Sequence, residues 1–128
     1  QNLDLSQNAI DANGIKALAH TLQTNRTLQT IDLSYNNMGE DDIISLAQAL
    51  ESNDSLTELV LNLNRVGENG TKTIAKCLGP ENGLDAGGGL KQLDFEGCGI
   101  GQDGIQTIVG ALKTNKRLTR LNLQGNKI

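Results

Sequence analysis

Apolar residues recur along this chain at fixed intervals. Leu28, Ile31, Leu33 and Met38 are spaced as Leu56, Leu59, Leu61 and Val66, as Leu90, Leu93, Phe95 and Ile100, and as Leu118, Leu121, Leu123 and Ile128. Successive openings lie 28, 34 and 28 residues apart. Leu3, Leu5 and Ile10 keep the same register without the opening residue. Within each copy, apolar and polar residues alternate around the second and third leucine positions, which predicts a short strand with one buried face. Three residues beyond the last strand leucine stands Asn8, Asn36, Asn64 or Asn126, with Cys98 in the fourth copy. The pattern is therefore L-x-x-L-x-L-x-x-N-x-I.

A second period follows each strand. Ile15, Leu18, Ala19 and Leu22 recur as Ile43, Leu46, Ala47 and Leu50, as Thr71, Ile74, Ala75 and Leu78, and as Ile105, Ile108, Val109 and Leu112. This i, i+3, i+4, i+7 spacing predicts a helix with one apolar face. Asn13, Asp41, Asn69 and Asp103 share the slot before the stripe and are expected to cap the helix N-termini. Asn25, Asn53 and Asn115 share a slot after it and are expected to take the left-handed conformation of a helix C-terminus.

A strand, a turn and a helix make one unit, and neither element buries its apolar face without the next copy. The expected architecture is α/β: a solenoid with a parallel sheet inside, helices outside, and a horseshoe curvature from the greater thickness of helices. The strand-end asparagines are expected to satisfy backbone groups from coil to coil. One domain over 1–128 divides into a partial copy (1–27), two full copies (28–55 and 90–117), a copy carrying a loop insertion (56–89) and a last partial copy (118–128). These residues resemble the leucine-rich repeat superfamily, and the 28-residue unit with a full helix resembles its ribonuclease-inhibitor-like subfamily, whose consensus admits Asn or Cys at the Cys98 slot.

The regularity breaks over Gly79–Gly89, eleven residues where other copies use five. Gly79-Pro80 stops the helix. The segment is expected to form a loop at the edge of the stack, either partner-contacting or merely tolerated. Both ends fall inside a copy, so the chain reads as an excerpt of a longer protein.

Composition narrows the function classes. There is no Trp, and Tyr35 and Phe95 are the aromatics, so the core must be aliphatic. The net charge of −4 conceals a gradient, −7 over residues 1–64 and +3 over 65–128, and an acidic total argues against nucleic acid as a partner. No apolar run reaches the roughly 18 residues of a membrane span. Two cysteines, Cys77 and Cys98, without Cys-x-x-Cys spacing, favour a reducing compartment and a cytoplasmic location. His20 is the sole histidine and is expected on an outer helix face, which leaves no metal site of the His/Cys kind and no Ser-His-Asp triad. Nucleotide-binding glycine motifs are missing, so no cofactor and no enzymatic activity are expected.

What remains is a surface. Residues alternating with the strand leucines are Asn2, Asp4 and Ser6; Thr30, Asp32 and Ser34; Glu58, Val60 and Asn62; Gln92, Asp94 and Glu96; Arg120, Asn122 and Gln124. If the leucines point in, these line the concave face. Five acids against one base suit a basic protein surface, and Tyr35 and Leu63 stand at the rim. The expected partner-binding residues are Asp4, Asp32, Tyr35, Glu58, Asn62, Asp94 and Glu96. The leading expectation is a protein-interaction scaffold, for which the resemblance extends to NOD-like receptors and to ciliary and cytoskeletal proteins. The alternative, implied by resemblance to Ran GTPase-activating proteins and ribonuclease inhibitor, is a regulator of a partner enzyme, with Arg65 at the strand-to-helix edge as a contact.

Overall fold

Pairing between copies sets the architecture. Leu3, Ile31, Leu59, Leu93 and Leu121 are register partners across a fully parallel sheet in the order of the chain. The computed structural model describes residues 1–79 and 89–128. Along these run β1 (Asn2–Asp4), α1 (Ala12–Thr24), β2 (Thr30–Asp32), α2 (Glu40–Leu50), β3 (Glu58–Val60), α3 (Gly67–Leu78), β4 (Gln92–Asp94), α4 (Gln102–Leu112) and β5 (Arg120–Asn122). The strand ladder runs on past each β element, since Leu33 N–H reaches Val60 O at 2.9 Å and Tyr35 N–H reaches Asn62 O at 2.9 Å.

Each helix packs on the next, α1 on α2, α2 on α3 and α3 on α4. Strands in a sheet sit about 4.8 Å apart and packed helices about 8–10 Å. The sheet is therefore the inner side of a curved α/β solenoid, as expected. Between the layers lies one aliphatic core: Ile31, Leu33, Leu59, Leu61, Leu93 and Phe95 meet Ile15, Leu22, Ile43, Leu46, Ile74 and Ile108, all essentially without solvent contact. Burying each such side chain contributes roughly 1.5–3 kcal/mol. Of the expected stripes, Leu18 on α1 and Ile105 and Leu112 on α4 are half-buried and Val109 is 49% exposed, because α1 and α4 each have a helical neighbour on one side only among the described residues. His20 lies exposed on α1, as expected. The expected 79–89 loop falls largely outside the described residues.

Two expectations about helix ends are corrected. Asn13, Asp41, Asn69 and Asp103 all lie inside the first helical turn, and the caps are Asp11, Gly39, Val66 and Gly101. Helices start earlier than the apolar stripe because the turn after each strand feeds directly into them. Asp11 Oδ1 accepts the Gly14 N–H at 2.8 Å. Val66 offers no capping side chain, and Glu40 of the preceding coil does the work: its carboxylate accepts the N–H groups of Asn69 and Gly70 and the Asn69 amide. These bonds hold the Glu40 carboxyl below the ordinary glutamate range.

Asn25, Asn53 and Asn115 are likewise not left-handed; Asn25 is extended at φ −70°, and none of the three has positive φ. Their side chains rebuild the turn instead. Asn53 Oδ1 accepts from Ser55 and Leu56 N–H, while its Nδ2 donates to Leu22 O at 2.7 Å and Asn25 O at 3.1 Å. Asn115 repeats this, accepting from Arg117 and Leu118 N–H and donating to Leu78 O. A ladder of asparagines thus runs along the helix-to-strand edge.

The expected ladder at the opposite edge is present too. Asn64 Nδ2 donates to Leu33 O and Leu61 O, and its Oδ1 accepts from Asn36 and Met38 N–H. Asn126 does the same for Phe95 O, Leu123 O and Ile100 N–H. Cys98 keeps half of this role by donating its thiol to Leu61 O at 3.2 Å.

Candidate functional site

Register places the polar strand residues in rows across the sheet. Asn2, Thr30, Glu58, Gln92 and Arg120 form one row, and Asp4, Asp32, Val60, Asp94 and Asn122 the next. Their side chains stand on the face opposite the leucines, away from the helices. Asp4 is exposed, whereas Asp32, Glu58, Asn62, Asp94 and Glu96 are half-buried between neighbouring coils. The expected site residues are therefore brought onto one continuous face, with Val60 as an apolar break in the acidic row.

The carboxylates also have work inside the fold. Asp4 Oδ1 accepts the Ser6 N–H at 2.9 Å and Asp32 Oδ1 the Ser34 N–H at 2.8 Å. Asp94 Oδ1 takes the Glu96 N–H at 3.3 Å, and that N–H also reaches Asn62 Oδ1 at 2.9 Å. Asn122 holds the Gln124 N–H in the same way. A side-chain oxygen on the last residue of β1, β2, β4 and β5 thus closes a small turn with the N–H two residues on, and the neutral amide of Asn122 does this as the carboxylates do. The Ser6 contacts draw the Asp4 carboxyl below its ordinary value. Glu58 and Glu96 are steered across the sheet, by Thr30 Oγ1 at 3.5 Å and Asn122 Nδ2 at 3.3 Å.

Ser34 departs from the expected solvated row. Enclosed between coils, it is 6% exposed, and its Oγ has no hydrogen-bond partner among the described residues. Just beyond it lies the rim slot of Tyr35 and Leu63, whose backbone conformation the sequence pattern does not show. Gln7, Tyr35, Leu63, Gly97 and Gly125 all have positive φ, between 56° and 70°. The chain turns out of the sheet here through the left-handed region, which disfavours any residue with a Cβ. Two of the three side chains held in this strained slot are large, apolar and exposed: Tyr35 at 56% and Leu63 at 43%. Leu63 leans over the next coil, where a Cβ on Gly97 would come within 2.6 Å of it.

Glu58, Asp94 and Arg120 border a small recess on the concave face with Gln92 between them. A wider groove of about 430 Å³ separates α3 from α4 on the outside, lined by Ala75, Lys76, Gly79, Thr107, Gly110, Ala111 and Thr114. Among the described residues no cluster of three or more His, Cys, Asp or Glu could hold a metal ion, and no helix is long and apolar enough to cross a membrane. Both cysteines are free and buried; desolvation pushes the thiol of Cys77 up to about 12 and that of Cys98 up to about 11. Thiolate chemistry is suppressed at both.

The leucine-rich repeat family model matches residues 1–19, 24–47, 52–75 and 90–109, in phase with the strand-and-helix units. The chain belongs to the leucine-rich repeat family. Repeats of this family are commonly protein-interaction modules. Among solved structures, the tropomodulin C-terminal domain of Caenorhabditis elegans is similar, with a TM-score of 0.75 over 97% of this chain and 74% of that one. At 13% identity this likeness speaks for the fold alone. No curated protein matches the sequence.

Proposed function

We propose that this leucine-rich repeat chain is a non-catalytic scaffold that docks a basic surface of a partner protein on its concave face. One observation carries the reading: the strand register assembles Asp4, Asp32, Glu58, Asp94 and Glu96 on a single sheet face, with Arg120 the lone base, beside exposed Tyr35 and Leu63. A rigid row of like charges steers a complementary partner and fixes its orientation. Aromatic and aliphatic side chains at its margin supply contact area. The ribonuclease-inhibitor-like character suggested by the 28-residue unit belongs to the same proposal, as does a cytoplasmic setting, which the two free buried thiols support.

The test removes charge without removing the strand-end turns. Asp32→Asn, Asp94→Asn and Glu96→Gln keep an acceptor oxygen at each site, as Asn122 already does in the last coil. Capture from source cells with this triple variant should lose partners that the native chain retains. An unchanged partner set, with circular dichroism showing an intact fold, would refute the concave face as the docking surface.

A further inference from the structure

At the end of the strands opposite the helix-to-strand turns, the rim row changes character midway across the sheet. Tyr35 and Leu63 sit side by side in neighbouring coils, both exposed, and Gly97 and Gly125 continue the row without side chains. The left-handed backbone does not by itself demand these glycines, because Gln7, Tyr35 and Leu63 hold the same conformation at φ 56°. At Gly97 the reason is Leu63, which lies over it: a Cβ there would come within 2.6 Å of Leu63 Cδ2. A Cβ on Gly125 would approach only the Gly97 backbone, at 3.5 Å, and a Cβ on exposed Gly99 would meet nothing within 4 Å. The rim is therefore stepped, with an apolar wall made by Leu63 and a floor of bare backbone beside it.

Hydrogen bonds between coils hold the floor in place. Gly97 N–H donates to Gln124 O at 2.9 Å, and Ile100 N–H to Asn126 Oδ1 at 3.0 Å. Charge changes sign across the step. Glu96, just before Gly97, belongs to the acidic concave side. Arg65, Gly99 and Lys127 come two residues after Leu63, Gly97 and Gly125, where the chain has turned out of the sheet, and all three are exposed. Arg65 and Lys127 are held alike, their N–H groups donating to Met38 O and Ile100 O at 2.9 Å. Among the described residues neither takes part in a salt bridge.

Glycine lets a ligand come close to the backbone, and a flat aromatic ring offers the largest contact area for the least side-chain freedom lost. A ring laid on this floor abuts Leu63. Its chain neighbours then face opposite charges, Glu96 on the inner side and Arg65 with Lys127 on the outer, which fixes the way round that the segment lies.

We propose that the step formed by Leu63, Gly97, Gly99 and Gly125 receives an aromatic side chain of the partner protein, on a segment with basic residues to one side of the aromatic and acidic residues to the other. The step borders the docking face proposed above and rests on that reading, to which it adds an anchor and a direction.

Chemical shifts of the chain titrated with synthetic peptides test this. The peptide Lys-Lys-Ser-Trp-Ser-Asp-Asp should move the amide signals of Gly97, Gly99 and Gly125 and the methyl signals of Leu63. It should bind roughly tenfold more tightly than its counterpart with Ala for Trp, and about threefold more tightly than the one with Ser-Ser for Asp-Asp. Leu63→Ala should remove the Trp advantage. Arg65→Glu with Lys127→Glu, both at exposed positions, should exchange the charge preference, so that the peptide with Lys-Lys for Asp-Asp binds best; loss of fold would weaken every peptide alike. Equal binding of the Trp and Ala peptides, shifts that spare the three glycines, or an Asp-Asp preference that survives the charge reversal would overturn the proposal. The docking reading has its own readout: Lys-Lys-Ser-Ala-Ser-Ser-Ser should bind the native chain and be lost from the Asp32→Asn, Asp94→Asn, Glu96→Gln chain. If that loss is seen while the glycines do not respond, docking on the acidic rows stands and the anchor falls; if the glycines respond and the loss is not seen, the anchor stands and the acidic rows fall.

Discussion

The most constrained single position is the residue after the polar strand row. All five copies turn there with positive φ, yet Gln7, Tyr35 and Leu63 occupy it where Gly97 and Gly125 do elsewhere. A non-glycine residue in this region costs roughly 1–2 kcal/mol. Gly97→Ala adds that strain to a contact with Leu63 Cδ2 at 2.6 Å. The variant should lose about 2 kcal/mol in urea unfolding, and part of the loss should be recovered when Leu63 is also shortened to Ala. The reverse change, Tyr35→Gly, should stabilise by about 1 kcal/mol. A protein that keeps Tyr35 and Leu63 at this slot carries strain to display them. The rim position of Tyr35 and Leu63 was legible in the sequence, but its left-handed backbone was not, because the occupants share no type and a turn recognised by glycine is hidden where Gln, Tyr and Leu fill it. The burial of Ser34 was illegible for a related reason, since alternation predicts which face a side chain takes and not whether neighbouring coils close over it.

Elements are held to one another by side chains that bridge coils. Asn53 is 3% exposed and serves carbonyl and amide groups of two coils at once. Asn53→Ala strands those groups and should cost about 3 kcal/mol by denaturant unfolding, against about 1 kcal/mol for Asn25→Ala, which is half-buried and holds only its own turn. Glu40 caps α3 from the coil before, and its depressed pKa fixes the sign of a pH effect. Its contribution is complete above the ordinary glutamate value of about 4.3 and is lost as pH falls through the lowered folded value. Glu40→Gln should therefore be less stable than the native chain at neutral pH, and the difference should shrink toward acid, as followed by thermal unfolding across pH.

The repeat itself was readable because strand and helix periods recur in register, and each of the expected helices and strands is present. The caps were not readable. Polar residues such as Asn13 and Asp103 stand one half-turn inside the helix, and spacing alone does not separate a cap from a first-turn residue. Nor does it show that a cap comes from another coil, as it does for α3.

At the scale of the whole molecule, stacking turns a three-residue strand into a surface. Asp4, Asp32, Glu58, Asp94 and Glu96 are scattered in the chain and contiguous on the sheet, and this much followed from the repeat and the alternation of side chains. The double duty of the aspartates did not follow, because Asp-x-Ser reads equally as a charged surface and as a strand-end turn until the hydrogen bonds are seen. Separating those roles is what gives the docking proposal its sharpest test. A photo-crosslinking amino acid placed at Tyr35, exposed beside the acidic rows, is compared with the same group at His20, exposed on the opposite, helical side. In source cells the account predicts crosslinks to a partner protein from position 35 and none to that partner from position 20. Crosslinking from position 20 with none from 35 would contradict it and move the function to the convex face.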